Sequence, residues 1–275
     1  MSPAPTLTLN NGVQIPAIGL GTWPMNNFET ADAVSTAAAA GYRLFDTAEN
    51  YENEAGVGEG VRRTGLPRED VFITSKFNKQ WHSYDGVHRA FEASTTRLGF
   101  ETIDLYLIHW PNPMQDGYLD AFRGLRALQQ SGQVRAIGVS NFLPEHLQRL
   151  FDQGLTPQVN QIQLDPTHNR MALRELHREH CIVTEAWSPL GRDAGLLADP
   201  VITGIATAHG RTPSQIVLRW HSQNNIVPTP KSANPQRQAE NINIFDFELT
   251  PPELSALAAL DQGAPLRYDA AQFGH

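Results

Sequence analysis

Eight short apolar runs that alternate with helical stretches predict an α/β chain closed as a (β/α)8 TIM barrel, with an N-terminal β-hairpin and extra helices. The runs are Ala17–Thr22, Arg43–Thr47, Val71–Lys76, Ile103–His109, Ala136–Ser140, Val159–Leu164, Val183–Trp187 and Ile226–Pro230. Their starts fall about 23 to 33 residues apart, the spacing of βα units, apart from a gap of about 43 before the last. Eight such units favour a closed barrel over an open doubly wound sheet. No linker or low-complexity segment divides the chain, so residues 1–275 read as a single domain. A barrel also says where to look for chemistry: at the C-terminal ends of its strands.

Each element has a local cause. Thr6-Leu7-Thr8-Leu9 alternates, Asn10-Asn11-Gly12 supplies turn residues, and Val13-Gln14-Ile15 returns, which predicts the hairpin. Glu29–Ala40 is alanine-rich and stops at Gly41; Tyr84–Leu98 stops at Gly99. Leu119–Gln130 repeats Leu119, Phe122, Leu125 and Leu128 at helical spacing. The long gap holds two helices, Pro200–Ala208 and Pro213–Gln223, the second opened by the capping box Thr212-Pro213-Ser214-Gln215. Thr250-Pro251-Pro252-Glu253 starts a last helix through Leu260 in the same way.

Composition narrows the function. The chain is 40% hydrophobic and 18% charged with a net charge of −8, which argues against nucleic acid and anionic membranes as partners. Cys181 is the single cysteine, so neither an intrachain disulfide nor a cysteine-based zinc cluster can form. Residues 1–28 lack Lys, Arg, Asp and Glu, and no run approaches the roughly 20 apolar residues of a membrane span. A cytoplasmic monomer is the expectation.

Several motifs fall short. Gly19-Leu20-Gly21-Thr22-Trp23-Pro24 lacks the third glycine of a dinucleotide fingerprint, and Gly56-Val57-Gly58-Glu59-Gly60 has the wrong spacing. Gly138-Val139-Ser140-Asn141-Phe142 imitates a hydrolase nucleophile elbow until Phe142 takes the place of its last glycine. His177 and His180 lie three apart on a predicted helix but lack further ligands, so they read as surface histidines and no metal is expected. Cys181, opening a predicted strand, reads as a packed thiol.

The informative residues are polar groups at predicted strand ends. Asp46 closes the run Leu44-Phe45-Asp46, with Tyr51 in the next loop; Lys76 closes Val71–Lys76, and His109 closes Ile103–His109. Three adjacent strands thus deliver ionisable groups to one barrel mouth. A tyrosine titrating near pH 10 is a weak acid catalyst, and a neighbouring ammonium is expected to lower that pKa. Asp46 would orient Lys76, and His109 would hydrogen-bond a carbonyl oxygen. The set suits protonating a carbonyl oxygen while hydride reaches the carbon. No side chain offers itself as a carbon nucleophile, so a hydride-donating cofactor is implied.

At these residues the sequence resembles the aldo-keto reductase superfamily over nearly its full length. The motifs are Gly19-Leu20-Gly21-Thr22-Trp23, Phe45-Asp46-Thr47-Ala48 with Tyr51, Thr74-Ser75-Lys76, Ile108-His109-Trp110-Pro111, Ile137-Gly138-Val139-Ser140-Asn141-Phe142 and Asn160-Gln161-Ile162. The resemblance implies NADPH-dependent reduction of aldehydes, dicarbonyls and ketones, with Asp46, Tyr51, Lys76 and His109 as a catalytic tetrad. It places Ser140, Asn141 and Gln161 on the nicotinamide carboxamide, Trp187 against the ring, and Ser188, Leu190 and Gly191 along the pyrophosphate. Gly21, Thr22 and Trp23 fall on the cofactor side as well, and Lys231, Ser232, Arg237, Glu240 and Asn241 resemble the adenosine 2′-phosphate and adenine site. Lys231 and Arg237 bring the charge and planar fork that a phosphate prefers. Trp23, Trp81, His109, Trp110 and Phe273 are the expected substrate wall.

The sequence departs from family habit in places that bear on substrate choice. Ile162-Gln163-Leu164-Asp165-Pro166 replaces a common Glu-Tyr-His-Pro run, Trp81 comes late, and the segment Pro111 to Gly117 is short. The tail Gly263–His275, rich in glycine, alanine and polar residues, is expected to be mobile until ligands order it. The alternatives are a nucleotide-binding sensor with negligible turnover and a barrel hydrolase.

Overall fold

The computed structural model describes residues 3–192, 195–263 and 265–274. Eight parallel strands follow one another around the sheet: β3 (Gly19–Gly21), β4 (Leu44–Asp46), β5 (Phe72–Phe77), β6 (Ile103–Ile108), β7 (Val134–Ser140), β8 (Val159–Gln163), β9 (Val183–Trp187) and β10 (Ile226–Pro228). The ring closes where Gly21 N–H donates to the Pro230 carbonyl at 3.2 Å and pairs in parallel with Lys231. Glycine is required at that seam, because a Cβ on Gly21 would stand 2.7 Å from the Thr229 carbonyl oxygen.

The predicted hairpin forms from β1 (Thr6–Thr8) and β2 (Gln14–Pro16), paired antiparallel. It plugs the lower end of the barrel: Leu9 and Ile15 pack with Leu44, Phe72, Leu105, Leu107, Ala136, Val159 and Val227, inward residues of the strands. Alternation puts Leu105 and Leu107 inside and sends Tyr106 and Ile108 to the larger core beneath the helices. The lower barrel is therefore filled with apolar side chains, and polar residues gather at the upper end.

The six helices with bounds read from the sequence form close to those bounds, and others form between them. The chain forms α1 (Asn27–Ala40), α2 (Glu54–Thr64), α3 (Tyr84–Leu98), α4 (Tyr118–Gln130), α5 (Pro144–Phe151), α6 (Met171–Glu179), α7 (Pro200–His209), α8 (Pro213–Gln223), α9 (Pro235–Ile242) and α10 (Pro251–Ala258). Helix α1 starts two residues earlier than predicted because Asn26 and Glu29 form a capping box, and it ends at Gly41 with φ 111°. The glycines Gly56, Gly58 and Gly60 lie on α2, not in a loop: a Cβ on Gly58 would overlap the Leu98 carbonyl, and one on Gly60 would come 2.6 Å from Val34 Cβ. They let α2 settle against α1 and the end of α3.

Two expectations are corrected here. His177 is buried, not on the surface; its Nδ1 is 2.8 Å from Thr184 Oγ1 and its Nε2 is 3.0 Å from Asn160 Nδ2. Burial, helped by the Arg170 and Arg174 charges, pushes its pKa down to about 3, so the ring is neutral. Cys181 is exposed, not packed, because the chain turns there with φ 53° before β9 begins. His180 is half-buried, stacked on Phe151 with ring centroids 3.8 Å apart. Among the described residues no helix is long and apolar enough to cross a membrane, and no group of three His, Cys, Asp or Glu could hold a metal ion.

Candidate active site

The upper ends of the strands surround a cavity of about 480 Å³. Asp46 is the last residue of β4, where the barrel buries it. Lys76 stands near the end of neighbouring β5, fully buried. Its ammonium donates to Asp46 Oδ1 at 2.7 Å, to Asp46 Oδ2 at 2.8 Å and to the Thr47 carbonyl at 2.9 Å. Gln161 on β8 reaches across the barrel and donates from Nε2 to Asp46 Oδ1 at 2.8 Å. All three ammonium protons thus have acceptors, which is what a buried lysine needs to stay charged. Burial alone would drive the Lys76 pKa down; Asp46 above all, with Tyr51 and Glu185, outweighs it and leaves the pKa raised.

Tyr51 ends a short 3-10 turn, Glu49–Tyr51, immediately after β4. Its ring centroid lies 5.0 Å from Lys76 Nζ and 5.8 Å from the His109 ring, edge to face. The expectation that Lys76 lowers the phenol's pKa is met only in part. Desolvation raises it, Lys76 lowers it and Asp46 raises it again, and the balance lies above the ordinary value. Tyr51 therefore holds its proton throughout the neutral range, the state a proton donor needs.

The four predicted tetrad residues thus meet at one place, and His109 and Tyr51 line the cavity with Asp46. Most of the residues expected on the cofactor side line one cavity. Gly21, Thr22, Trp23, Ser140, Asn141, Gln161, Trp187, Ser188, Leu190, Gly191 and Lys231 all line the same cavity. Two backbone turns present them: Asn141, just after β7, has φ 63°, and Ser188, just after β9, has φ 51°. Asn141 is fixed on both sides of its amide, donating to the His109 carbonyl at 3.1 Å and accepting from Trp187 Nε1 at 2.8 Å. Ser140 Oγ donates to the Gln161 carbonyl at 2.9 Å. A half-buried indole beside a serine, an asparagine and a glutamine offers a flat apolar face with amide partners at its edge. That donor set fits a nicotinamide ring.

Ser232, Arg237, Glu240 and Asn241 do not line the cavity. They lie beyond Lys231, where Asn234 caps α9 by accepting from the backbone N–H groups of Gln236 and Arg237. The Arg237 side chain is exposed there and forms no ion pair among the described residues.

On the substrate side Trp23, His109, Trp110 and Phe273 line the cavity, but Trp81 does not. Trp81 Nε1 donates to Glu49 at 2.9 Å and Arg89 sits 5.9 Å from its ring, so it braces the turn behind Tyr51. Aromatic residues of the tail pack over the cavity mouth. Tyr268 stacks on Phe273 with centroids 4.3 Å apart, and Phe273 packs edge-on against Trp110 at 4.8 Å. Arg267 N–H donates to Gln163 Oε1 at 3.2 Å. Ala264 and His275 of the predicted tail lie outside the described residues. Sequence reasoning missed Tyr268, Asn50 and Arg192, which line the cavity from loops. It also missed Glu185, inside the barrel, although strand alternation with Trp187 carried that signal.

Comparison with known proteins bears on this geometry. Residues 17–262 match the Aldo/keto reductase family. The chain is 46% identical over 271 residues to an aldo-keto reductase of Mycolicibacterium smegmatis, covering 98% of each chain. It is 43% identical to the morphine 6-dehydrogenase of Pseudomonas putida, covering 97% of this chain and 94% of the other. The crystal structure of the Bombyx mori aldo-keto reductase in complex with NADP superimposes with a TM-score of 0.90 at 33% identity, covering 96% and 95% of the two chains. A barrel whose mouth gathers Asp46, Tyr51, Lys76 and His109, with a family match across most of its length, makes this chain a member of the aldo-keto reductase family.

Proposed function

We propose that this chain is an NADPH-dependent reductase of small aldehydes, dicarbonyls and activated ketones, with Tyr51 as the proton donor. The observation that carries the reading is the relay Asp46–Lys76–Tyr51 opening onto the same cavity as His109 and Trp187. Reduced nicotinamide, when bound, supplies hydride to the carbonyl carbon. Everything else belongs to the protein. His109 and Tyr51 together flank the position of the carbonyl oxygen. Tyr51 Oη gives that oxygen its proton, and Lys76, immobilised by Asp46 and Thr47, stabilises the phenolate that results until solvent restores the proton. Trp110, Tyr268 and Phe273 keep the reacting face apolar and limit water.

Ser140, Asn141 and Gln161 would hold the carboxamide, Trp187 the ring, and Ser188, Leu190 and Gly191 the pyrophosphate. Gly21, Thr22 and Trp23 would form the opposite rim. Lys231, Ser232, Arg237, Glu240 and Asn241 would receive the adenosine end, with Arg237 free to pair with a 2′-phosphate. Trp23, Trp110 and Phe273 would contact substrate. Cofactor oxidation followed with a panel of aldehydes, dicarbonyls and ketones tests this reading. NADPH should support turnover, aldehydes should exceed unactivated ketones, and ester cleavage without cofactor should be absent. Turnover confined to one bulky ketone would contradict the substrate class.

A further inference from the structure

One layer below the reacting groups lies a carboxyl that this chemistry does not use. Strand β9 turns alternate residues inward: Trp187 lines the cavity, Val183 packs on the lower core, and Glu185 points into the barrel between them. Glu185 is fully buried, in register with Gln161 on β8 and with Val227 on β10. The groups that face it are Asp46 from β4, Lys76 from β5 and Gln161 from β8, while Val227 is apolar. His177 of α6 lies on the other face of the strand, against Thr184. Neither Glu185 oxygen accepts a hydrogen bond of acceptable geometry. The Gln161 amide, which donates to Asp46 Oδ1, also lies close enough to the Glu185 carboxyl to pull its pKa down.

Charge balance favours the neutral carboxyl. Lys76 and Asp46 balance each other, so an ionised Glu185 would leave one uncompensated negative charge inside the barrel, at a high desolvation cost. Glu185 accordingly carries its proton at neutral pH. Burial, then the neighbouring Asp46, pushes its pKa up to about 8, with Gln161 and Lys76 pulling the other way.

We propose that Glu185 is a positioning residue for the reduction: protonated, it leaves Asp46 and Lys76 balanced beneath Tyr51, and once ionised it makes Tyr51 hold its proton more tightly and slows proton transfer. It acts through Lys76 and touches no reacting atom. The proposal rests on Tyr51 being the acid.

The test is the pH profile of kcat/KM for a small aldehyde at saturating NADPH, with infrared spectra of the same full-length protein. If only the protonated form is active, the wild type should lose about tenfold between pH 7 and pH 9, because a group titrating near 8 keeps about a tenth of its protons at pH 9. Glu185→Gln should stay within about threefold of the wild type at pH 7 and vary no more than about twofold over that interval. A protonated-carboxyl stretch should be present in the wild type at pH 7, fade above pH 8 and be missing from the variant. Should the variant fail to fold, wild-type protein with 13C-labelled glutamate carboxyls carries the spectroscopic arm alone. An unchanged inflection in Glu185→Gln, a flat wild-type profile, or no such band at pH 7 would each overturn the proposal. Tyr51→Phe separates the two levels: if it turns over like the wild type, the reading of Tyr51 fails, independently of where Glu185 titrates.

Discussion

Asp104 and Asp46 are both buried aspartates on barrel strands, one at the start of β6 and one at the end of β4, and their surroundings differ in kind. Asp104 accepts from the Ile73 backbone N–H at 2.8 Å, from Arg68 at 2.6 Å and from Arg135 at 2.7 Å. Its charge is met by three donors, and both arginines reach solvent. Asp46 holds a single buried ammonium, which in turn lies beside a phenol, and the buried Glu185 carboxyl stands beneath them. At the lower end electrostatics lock the strands together. At the upper end it is left one proton away from change, which costs stability and is the condition for reactivity.

The comparison breaks most directly by neutralising each aspartate. Asp46→Asn should cost about a hundredfold or more in kcat, since Lys76 loses the group that fixes it beside Tyr51. Asp104→Asn should leave kcat essentially unchanged while removing about 1.5 to 3 kcal/mol of stability, the worth of hydrogen bonds to a charged group. Steady-state kinetics with thermal melts on the two variants reads both effects. A loss of kcat in folded Asp104→Asn as large as in Asp46→Asn would erase the distinction.

A smaller effect sharpens the division at the cavity's outer rim. Arg237 is exposed and reads at most the adenosine end, so Arg237→Ala should weaken NADPH about ten- to a hundredfold, the worth of one charge-assisted phosphate contact, with NADH nearly unaffected. Fluorescence titration with both cofactors measures this. Equal losses for the two would show that Arg237 does not read the 2′-phosphate.

How far the sequence carried this account depends on the range of the forces involved. Helices α3 and α8 stand at their predicted bounds because Ser83, Thr212 and Gly99 act within one turn. The eight strands were visible as apolar runs, and Asp46, Lys76 and His109 stood out as polar residues at their predicted ends, with Tyr51 in the next loop. The errors sit where distant contacts decide. His177 looked like a surface residue until Asn160 and Thr184, from two strands, closed over it. The tyrosine's pKa was misjudged because desolvation is a property of the assembled barrel, not of a neighbouring lysine. Tyr268 joins the cavity wall through ring contacts with Phe273 and Trp110, from a tail whose composition suggests looseness.

The central claim, that Tyr51 supplies the proton while other residues bind the cofactor, is tested most directly by Tyr51→Phe. Pre-steady-state reduction of an aldehyde and NADPH affinity by fluorescence quenching should be measured on the same preparation. The account predicts loss of turnover by at least about a hundredfold, the lower end of what a positioned general acid contributes, with NADPH affinity changed less than about threefold. A folded Tyr51→Phe protein that reduces the aldehyde at close to the wild-type rate would contradict it.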